Sequence, residues 1–246
     1  MCHGTCLDFI RRSLNADDIA GRRVLEVGSL DVNGSPRLLL EAHKPASYVG
    51  IDIVDGPGVD KICSAERIVE EFGPNSFDVV VSTEMMEHVR DWRLILSNMK
   101  RSLVPGGLLV VTTRSFGFPH HDYPADYWRY ELSDMRILFG DLTIERLEAD
   151  APDSPGVFIV ARKPQQFDEL DQVGHALYSM VSGDRVTTAQ EAEDRVAVRR
   201  QVEGLQSVMR AVKQSRTFRY SARLRRTYDL IRSPHGSKRS AGENRR

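Results

Sequence analysis

Two stretches of this chain concentrate side chains that can move protons or hold ions. Residues Thr83–His88 read Thr-Glu-Met-Met-Glu-His, which puts Glu84, Glu87 and His88 within one helical turn, where they can share a face. Two carboxylates and an imidazole suit a divalent cation: oxygen ligands favour Mg or Mn, and the imidazole admits Zn or Fe. The second stretch, Arg114–Tyr130, interleaves His120, His121 and Asp122 with Phe116, Phe118, Tyr123, Tyr127, Trp128 and Tyr130. Aromatic faces beside hydroxyl-directed polar groups are what a sugar or nucleoside acceptor pocket needs. An alcohol acceptor also needs a base titrating near neutrality, and His88 and His121, with His120 next, are the candidates. His121 or His120 offers the cation a further ligand. A Cys-x3-Cys around His3 lacks a second ligand pair and is not read as a metal site.

Both stretches follow apolar runs that read as strands. Strands are expected at about 22–27, at Tyr48–Asp52, Val59–Ile62, Phe77–Ser82 and Leu108–Thr113, and again at Leu142–Leu147 and Gly156–Ala161. Helical patterns fall between them at Asp8–Leu14, Pro36–Ala42, Ala65–Phe72, Asp91–Leu103 and Leu132–Leu138. Alternating strands and helices, with Phe77–Ser82 nearly continuous in apolar residues, argue a doubly wound, mostly parallel α/β sheet covered on both faces. In such a sheet ligands sit outside the carboxyl ends of the strands. There the first strand breaks at Gly28 and reaches Gly34, the second ends on Asp52, and the third is followed by Ser64-Ala65. A terminal carboxylate of this kind accepts hydrogen bonds from both ribose hydroxyls, which fits an adenosine cofactor. The spacing Gly28-x5-Gly34 lacks the Gly-x-Gly-x-x-Gly cradle of a dinucleotide, disfavouring NAD. Glu26 before the turn suits a ligand with a positive group, as in S-adenosylmethionine.

Glu26-x-Gly28-x5-Gly34, Asp52, the fourth strand running into Met86-Glu87-His88-Val89, and Leu103-x-Pro105-Gly106-Gly107 before strand five together resemble class I S-adenosylmethionine-dependent methyltransferases. The resemblance covers about residues 20–162 and implies a Rossmann-like seven-stranded sheet of order 3-2-1-4-5-7-6 with its seventh strand antiparallel. It places Glu26, Gly28, Ser29 and Gly34 around the methionine moiety and Asp52 and Ile53 at the ribose. Ser64, where the family commonly carries Asp, and Ala65 fall near the adenine, and Ser82, Thr83 and Glu84 beside the amino-acid end. The set Glu84, Glu87, His88 and His121 is similar to the metal site of small-RNA 3′-terminal 2′-O-methyltransferases, and Glu-x-x-Glu-His to that of ubiquinone-pathway O-methyltransferases. A metal there binds vicinal hydroxyls and lowers the pKa of the attacking one.

Beyond Pro164 no strand pattern recurs, and Ala192, Val196, Val202, Leu205, Met209 and Val212 mark one face of a long helix. The expected division is 1–163, a methyltransferase domain, and 164–246, a helical, basic extension. Residues 210–246 carry 12 Lys or Arg against two acids, a charge of +10, which leaves −11 on residues 1–209. A basic tail on an acidic body points to an anionic partner: phospholipid, nucleic acid or a protein, with peripheral contact at an anionic inner membrane face expected ahead of nucleic acid. The tail resembles basic segments that follow bacterial glycosyltransferase domains. Three cysteines make no disulfide framework, no apolar run spans a bilayer, and the first fourteen residues show no secretory core, so the expected location is cytoplasmic. The leading functional expectation is O-methylation of a saccharide or glycan-pathway intermediate. Alternatives are an antibiotic or quinone precursor, RNA ribose 2′-O-methylation, and a non-catalytic S-adenosylmethionine-binding protein; a homodimer is left open.

Overall fold

The computed structural model describes residues 4–121, 125–221 and Tyr228. Much of the basic tail, and Asp122 and Tyr123 of the aromatic loop, therefore lie outside the described residues. The strands are β1 (Arg23–Val27), β2 (Ser47–Asp52), β3 (Lys61–Ile62), β4 (Phe77–Thr83), β5 (Leu103–Arg114), β6 (Trp128–Arg129), β7 (Thr143–Ala149), β8 (Gly156–Arg162), β9 (Leu177–Ser179) and β10 (Arg185–Val186). The helices are α1 (Gly4–Ser13), α2 (Ala16–Ile19), α3 (Arg37–Glu41), α4 (Ile68–Phe72), α5 (Trp92–Ser102), α6 (Leu132–Leu138) and α7 (Ala189–Gln214).

Seven strands form one sheet in the order β3-β2-β1-β4-β5-β8-β7. Because the two-residue β6 intervenes in sequence, this is the expected 3-2-1-4-5-7-6 arrangement, with β8 antiparallel to both β5 and β7. Period-two alternation in the central strands feeds two cores. Leu25, Val27, Val80, Leu109 and Val111 pack with Ile68, Trp92, Ile95 and Leu138 from α4, α5 and α6. Val24, Val79, Val81, Leu108 and Val110 pack on the opposite face with Phe9, Ile19 and Leu40 from α1, α2 and α3. Burial on both faces is why the strands read as continuous apolar runs.

The chain divides into two compact units at Arg195/Val196, not near Pro164. Residues 164–195 belong to the first because β9 joins β6 and β10 in a second, three-stranded sheet. Strands of two or three residues are too short to show a period, so no residue pattern marks them. Arg93 of α5 secures the same segment, donating to the carbonyls of Gln172 at 2.9 Å and His175 at 2.5 Å and to that of Thr187. The second unit, Val196–Arg246, contains most of α7.

A buried ion pair joins α5 to the end of α6. Lys100 Nζ donates to both Asp141 oxygens, at 2.7 and 2.8 Å, and to the Leu138 carbonyl at 2.6 Å. Burial lowers the Lys100 pKa, and the Asp141 carboxylate, with Glu169 nearby, opposes that shift. Removing one partner strands the other charge, whereas an apolar pair avoids the desolvation cost. Asp141→Leu is therefore expected to cost about 3–5 kcal/mol in urea unfolding. Adding Lys100→Met is expected to recover most of that loss, and equal midpoints for single and double variants would count against the account.

Candidate active site

At the carboxyl ends of β1, β2 and β4 lies a cavity of about 380 Å³ lined by Gly28, Leu30, Asp52, Ile53, Ser64, Ala65, Thr83, Glu84, Met85 and His88, among others. Gly28 has φ +79°, and a Cβ there would come within 2.7 Å of Met85 Cγ, so the chain reversal under this cavity requires glycine. Its N–H and that of Ser29 donate to the Ile51 carbonyl at 2.9 and 3.0 Å, tying the loop to β2. Asp52 is oriented by the amides of Leu30 at 3.2 Å and Val54 at 3.3 Å. Aliphatic side chains make up much of the wall, with Asp52, Ser64, Glu66, Thr83, Glu84, His88 and Arg90 as its polar points.

Of the eleven expected cofactor residues, Gly28, Asp52, Ile53, Ser64, Ala65, Thr83 and Glu84 line this cavity; Glu26, Ser29, Gly34 and Ser82 do not. Ser29 and Ser82 are buried. Gly34, at φ +119°, shapes the loop by donating to Asp31 Oδ1 at 2.8 Å. Glu26 lies beneath the loop instead of facing a ligand cation. It accepts from Tyr48 Oη at 2.7 Å and from Ser35 Oγ at 3.1 Å. Burial pushes its carboxyl pKa up to about 7, opposed by these hydrogen bonds.

The exit of β4 departs from the expected single helical face. Glu84 has φ +51°, and its amide donates to the Thr112 carbonyl at 2.9 Å. This left-handed residue separates the strand from a 3-10 turn, Met86–His88, so Glu84 diverges from Glu87 and His88. Its carboxylate instead forms an ion pair with Arg114, a fully buried side chain at the end of β5.

Glu87, His88 and His121 do converge, with one potential ligand atom from each lying within 4.8 Å of the others. Glu84 and the exposed His120 are not part of this cluster. His88 Nδ1 lies 2.5 Å from the Ala125 carbonyl, an acceptor only, so Nδ1 carries the proton and Nε2 presents a lone pair. Burial lowers the His88 pKa, favouring the neutral ring. Glu87 Oε2 accepts from Thr113 Oγ1 at 2.8 Å, while Oε1, with no hydrogen-bond partner among the described residues, sits 4.0 Å from His88 Nε2. Burial, reinforced by Glu84, raises the Glu87 pKa. His121 stacks edge-on against His88 with centroids 4.8 Å apart, and Phe118 against His121 at 5.1 Å.

The return limb of the aromatic loop holds this cluster in place. Besides Ala125, Tyr127 N–H donates to the Glu87 carbonyl at 2.8 Å, Trp128 Nε1 to Val89 at 2.8 Å and Tyr130 Oη to Met86 at 3.0 Å. Trp128 and Tyr130 are buried, so they are framework and not stacking surface. Asp126 is gripped by Arg129 and accepts from the His121 amide at 2.9 Å, contacts that hold its carboxyl pKa low against burial. Sequence reasoning missed Ala125, Thr113, Asp126 and Arg129; the first acts through a main-chain oxygen, which has no sequence signal.

The family described as methyltransferase domain matches residues 3–148. The mitochondrial ubiquinone biosynthesis O-methyltransferase of Homo sapiens is 38% identical over 112 residues, 38% of this chain and 30% of that protein. The ubiquinone biosynthesis O-methyltransferase of Idiomarina loihiensis is 30% identical over 120 residues, 44% of this chain and 47% of that protein. The chain thus spans less than half the length of these curated relatives. The fold is shared with an S-adenosylmethionine-dependent methyltransferase from Mesorhizobium loti (TM-score 0.51, 15% identity, covering 63% of this chain and 96% of that one). It is also shared with the 1,6-didemethyltoxoflavin-N1-methyltransferase of Burkholderia thailandensis, solved with bound 1,6-didemethyltoxoflavin and S-adenosylhomocysteine (TM-score 0.53, 15% identity, covering 64% of this chain and 78% of that one).

Two outcomes follow from this geometry. Gly28→Ala forces Met85 aside and strains φ, and is expected to abolish the thermal shift produced by S-adenosylhomocysteine; an undiminished shift would contradict the placement of the cofactor cavity. For Glu26 the folded pKa exceeds the unfolded value of about 4.3, so the native carboxyl holds its proton longer and stability falls as pH rises toward 7. Glu26→Gln removes that penalty and is expected to raise Tm more at about pH 8 than at about pH 5. Equal changes by calorimetry would show that the carboxyl ionises without cost. With the sheet order, the glycine turn, the aspartate at β2 and a methyltransferase-domain match over residues 3–148 in agreement, the chain belongs to the class I S-adenosylmethionine-dependent methyltransferases.

Proposed function

We propose that the protein methylates a hydroxyl group of a small molecule, with His88 as the general base. The observation that carries this reading is the fixed His88 tautomer: Nδ1 is committed to the Ala125 carbonyl, and the ring borders the cofactor cavity. S-Adenosylmethionine, when bound, supplies the electrophilic methyl group; Gly28, Asp52, Ser64 and Ala65 are the residues that would hold it. The chain's own task is then to align the acceptor oxygen and take its proton. His88 Nε2 can accept that proton, and the neighbouring Glu87 carboxylate stabilises the resulting imidazolium.

The acceptor wall is formed by Phe118 and His121, with Arg114 lying 4.3 Å beneath the Phe118 ring. A planar dihydroxy ring fits such a wall better than a saccharide. Two of the aromatics that prompted the saccharide expectation, Trp128 and Tyr130, are buried framework. Similarity to ubiquinone biosynthesis O-methyltransferases supports the quinone-precursor alternative.

A second reading concerns a divalent cation. The orphaned, fully buried Glu87 Oε1 beside two imidazoles is a carboxylate-and-two-histidine donor set, and the Nδ1 bond of His88 has the orienting character of an outer-shell contact. Glu87, His88 and His121 would hold the ion, which would lower the pKa of a nearby hydroxyl.

The test is methyl transfer to a dihydroxybenzoate and to a methyl glycoside, read as methylated product by mass spectrometry. Product is expected from the former, and His88→Ala is expected to lower kcat by about 10²–10⁴. Product from the glycoside alone would return the assignment to saccharides. Full activity in EDTA, together with an active Glu87→Gln variant, would eliminate the cation.

A further inference from the structure

The second unit carries a feature that the methyl-transfer site does not use. Along α7, Val198, Val202, Leu205, Met209 and Val212 recur at alternating four- and three-residue steps, forming one narrow stripe. All five are exposed, from 45% for Val202 to 60% for Leu205. Residues 216–221 are also helical and expose Phe218 and Tyr220, at 46% and 70%. Between residues 196 and 221 the bases are Arg199, Arg200, Arg210, Lys213, Arg216 and Arg219, and the one acid is Glu203.

An exposed aliphatic stripe flanked by bases narrows the choice of partner. Nucleic acid would satisfy the charge but leaves the stripe in water. A second copy would cover the stripe, yet it brings together two segments of six bases and one acid. Continuing the stripe in either direction also lands on Arg195 or Arg216, so paired seams would end in like charges. An anionic bilayer surface meets both demands: acyl chains take the stripe, headgroups take the bases, and Phe218 and Tyr220 suit the interface. Among the described residues no helix is long and apolar enough to cross a membrane, so the contact is peripheral.

We propose that residues 196–221, the end of α7 and the helical turn after Ser215, form an amphipathic segment that docks on anionic phospholipid. The inference is independent of the proposed acceptor. The experiment is co-sedimentation of the full chain with vesicles of phosphatidylcholine alone or mixed with phosphatidylglycerol, at low and high salt. Binding is expected only to the mixed vesicles, weakening by at least about tenfold at high salt. Leu205→Ser/Met209→Ser and Arg210→Gln/Lys213→Gln should each lose the bound fraction while retaining the thermal shift with S-adenosylhomocysteine, the control for folding. Failure to sediment, or equal sedimentation with neutral vesicles, overturns the proposal. So does a dimer by light scattering that Leu205→Ser/Met209→Ser dissolves, which assigns the stripe to a second copy. Capture of homopolymeric RNA unaffected by the stripe variant, without vesicle binding, assigns the bases to nucleic acid.

Discussion

The structure depends on how the chain leaves β4. A parallel strand ending in a helix would have carried Glu84, Glu87 and His88 on one face; the left-handed φ of Glu84 prevents that. For a residue with a Cβ this conformation is unfavourable and persists only where its surroundings over-determine it. Here they do: the Glu84 amide is bound to β5 through the Thr112 carbonyl, and its carboxylate to buried Arg114. The following turn is then free to bring the His88 imidazole to the cavity wall, with the buried Glu87 carboxylate beside it. A buried Arg114 without Glu84 and Asp150 would be an uncompensated charge, so the same pair that fixes the turn also makes the end of β5 tenable.

That arrangement separates two kinds of polar chemistry within a short distance. Glu84 is paired with a buried arginine, whereas burial and the neighbouring Glu84 push Glu87 toward the protonated state. Unequal environments of this sort are how neighbouring carboxyl groups acquire different roles. Glu26, under the glycine loop, is a third case: burial raises its pKa, and Tyr48 and Ser35 anchor it to β2 and the loop. Its place is beneath the ligand loop, bracing it, and not in the cavity.

Much of the fold was legible in the sequence because its signals are periodic. Apolar runs in β4 and β5 mark buried strands, Gly28 marks a required chain reversal, and the bounds of α6 agree with Leu132–Leu138 as read from the pattern. The cavity lining was legible for the same reason, since Asp52 and Ser64 stand at strand ends where topology puts ligands. What the sequence concealed was non-periodic. Residues 164–195 join the first unit through two-residue and three-residue strands and through Arg93 binding main-chain carbonyls. The local spacing of Glu84, Glu87 and His88 suggested convergence, but a single positive φ redirected one of them. In the aromatic loop, composition could not distinguish Phe118, which faces His121, from Trp128, which is buried.

The bond between His88 and the Ala125 carbonyl has a consequence for how such a protein can diversify. The proton inventory of the imidazole is set by a backbone atom, and Tyr127 likewise secures Glu87 through main-chain groups. Substituting Phe118 or His121 would therefore reshape the proposed acceptor wall without changing the backbone acceptor that sets the His88 tautomer. In the proposed reaction, specificity and proton handling would share one loop yet be inherited separately, the first in its side chains and the second in its path. New acceptors can be explored there by point mutation, while insertion or deletion would strike the reaction itself.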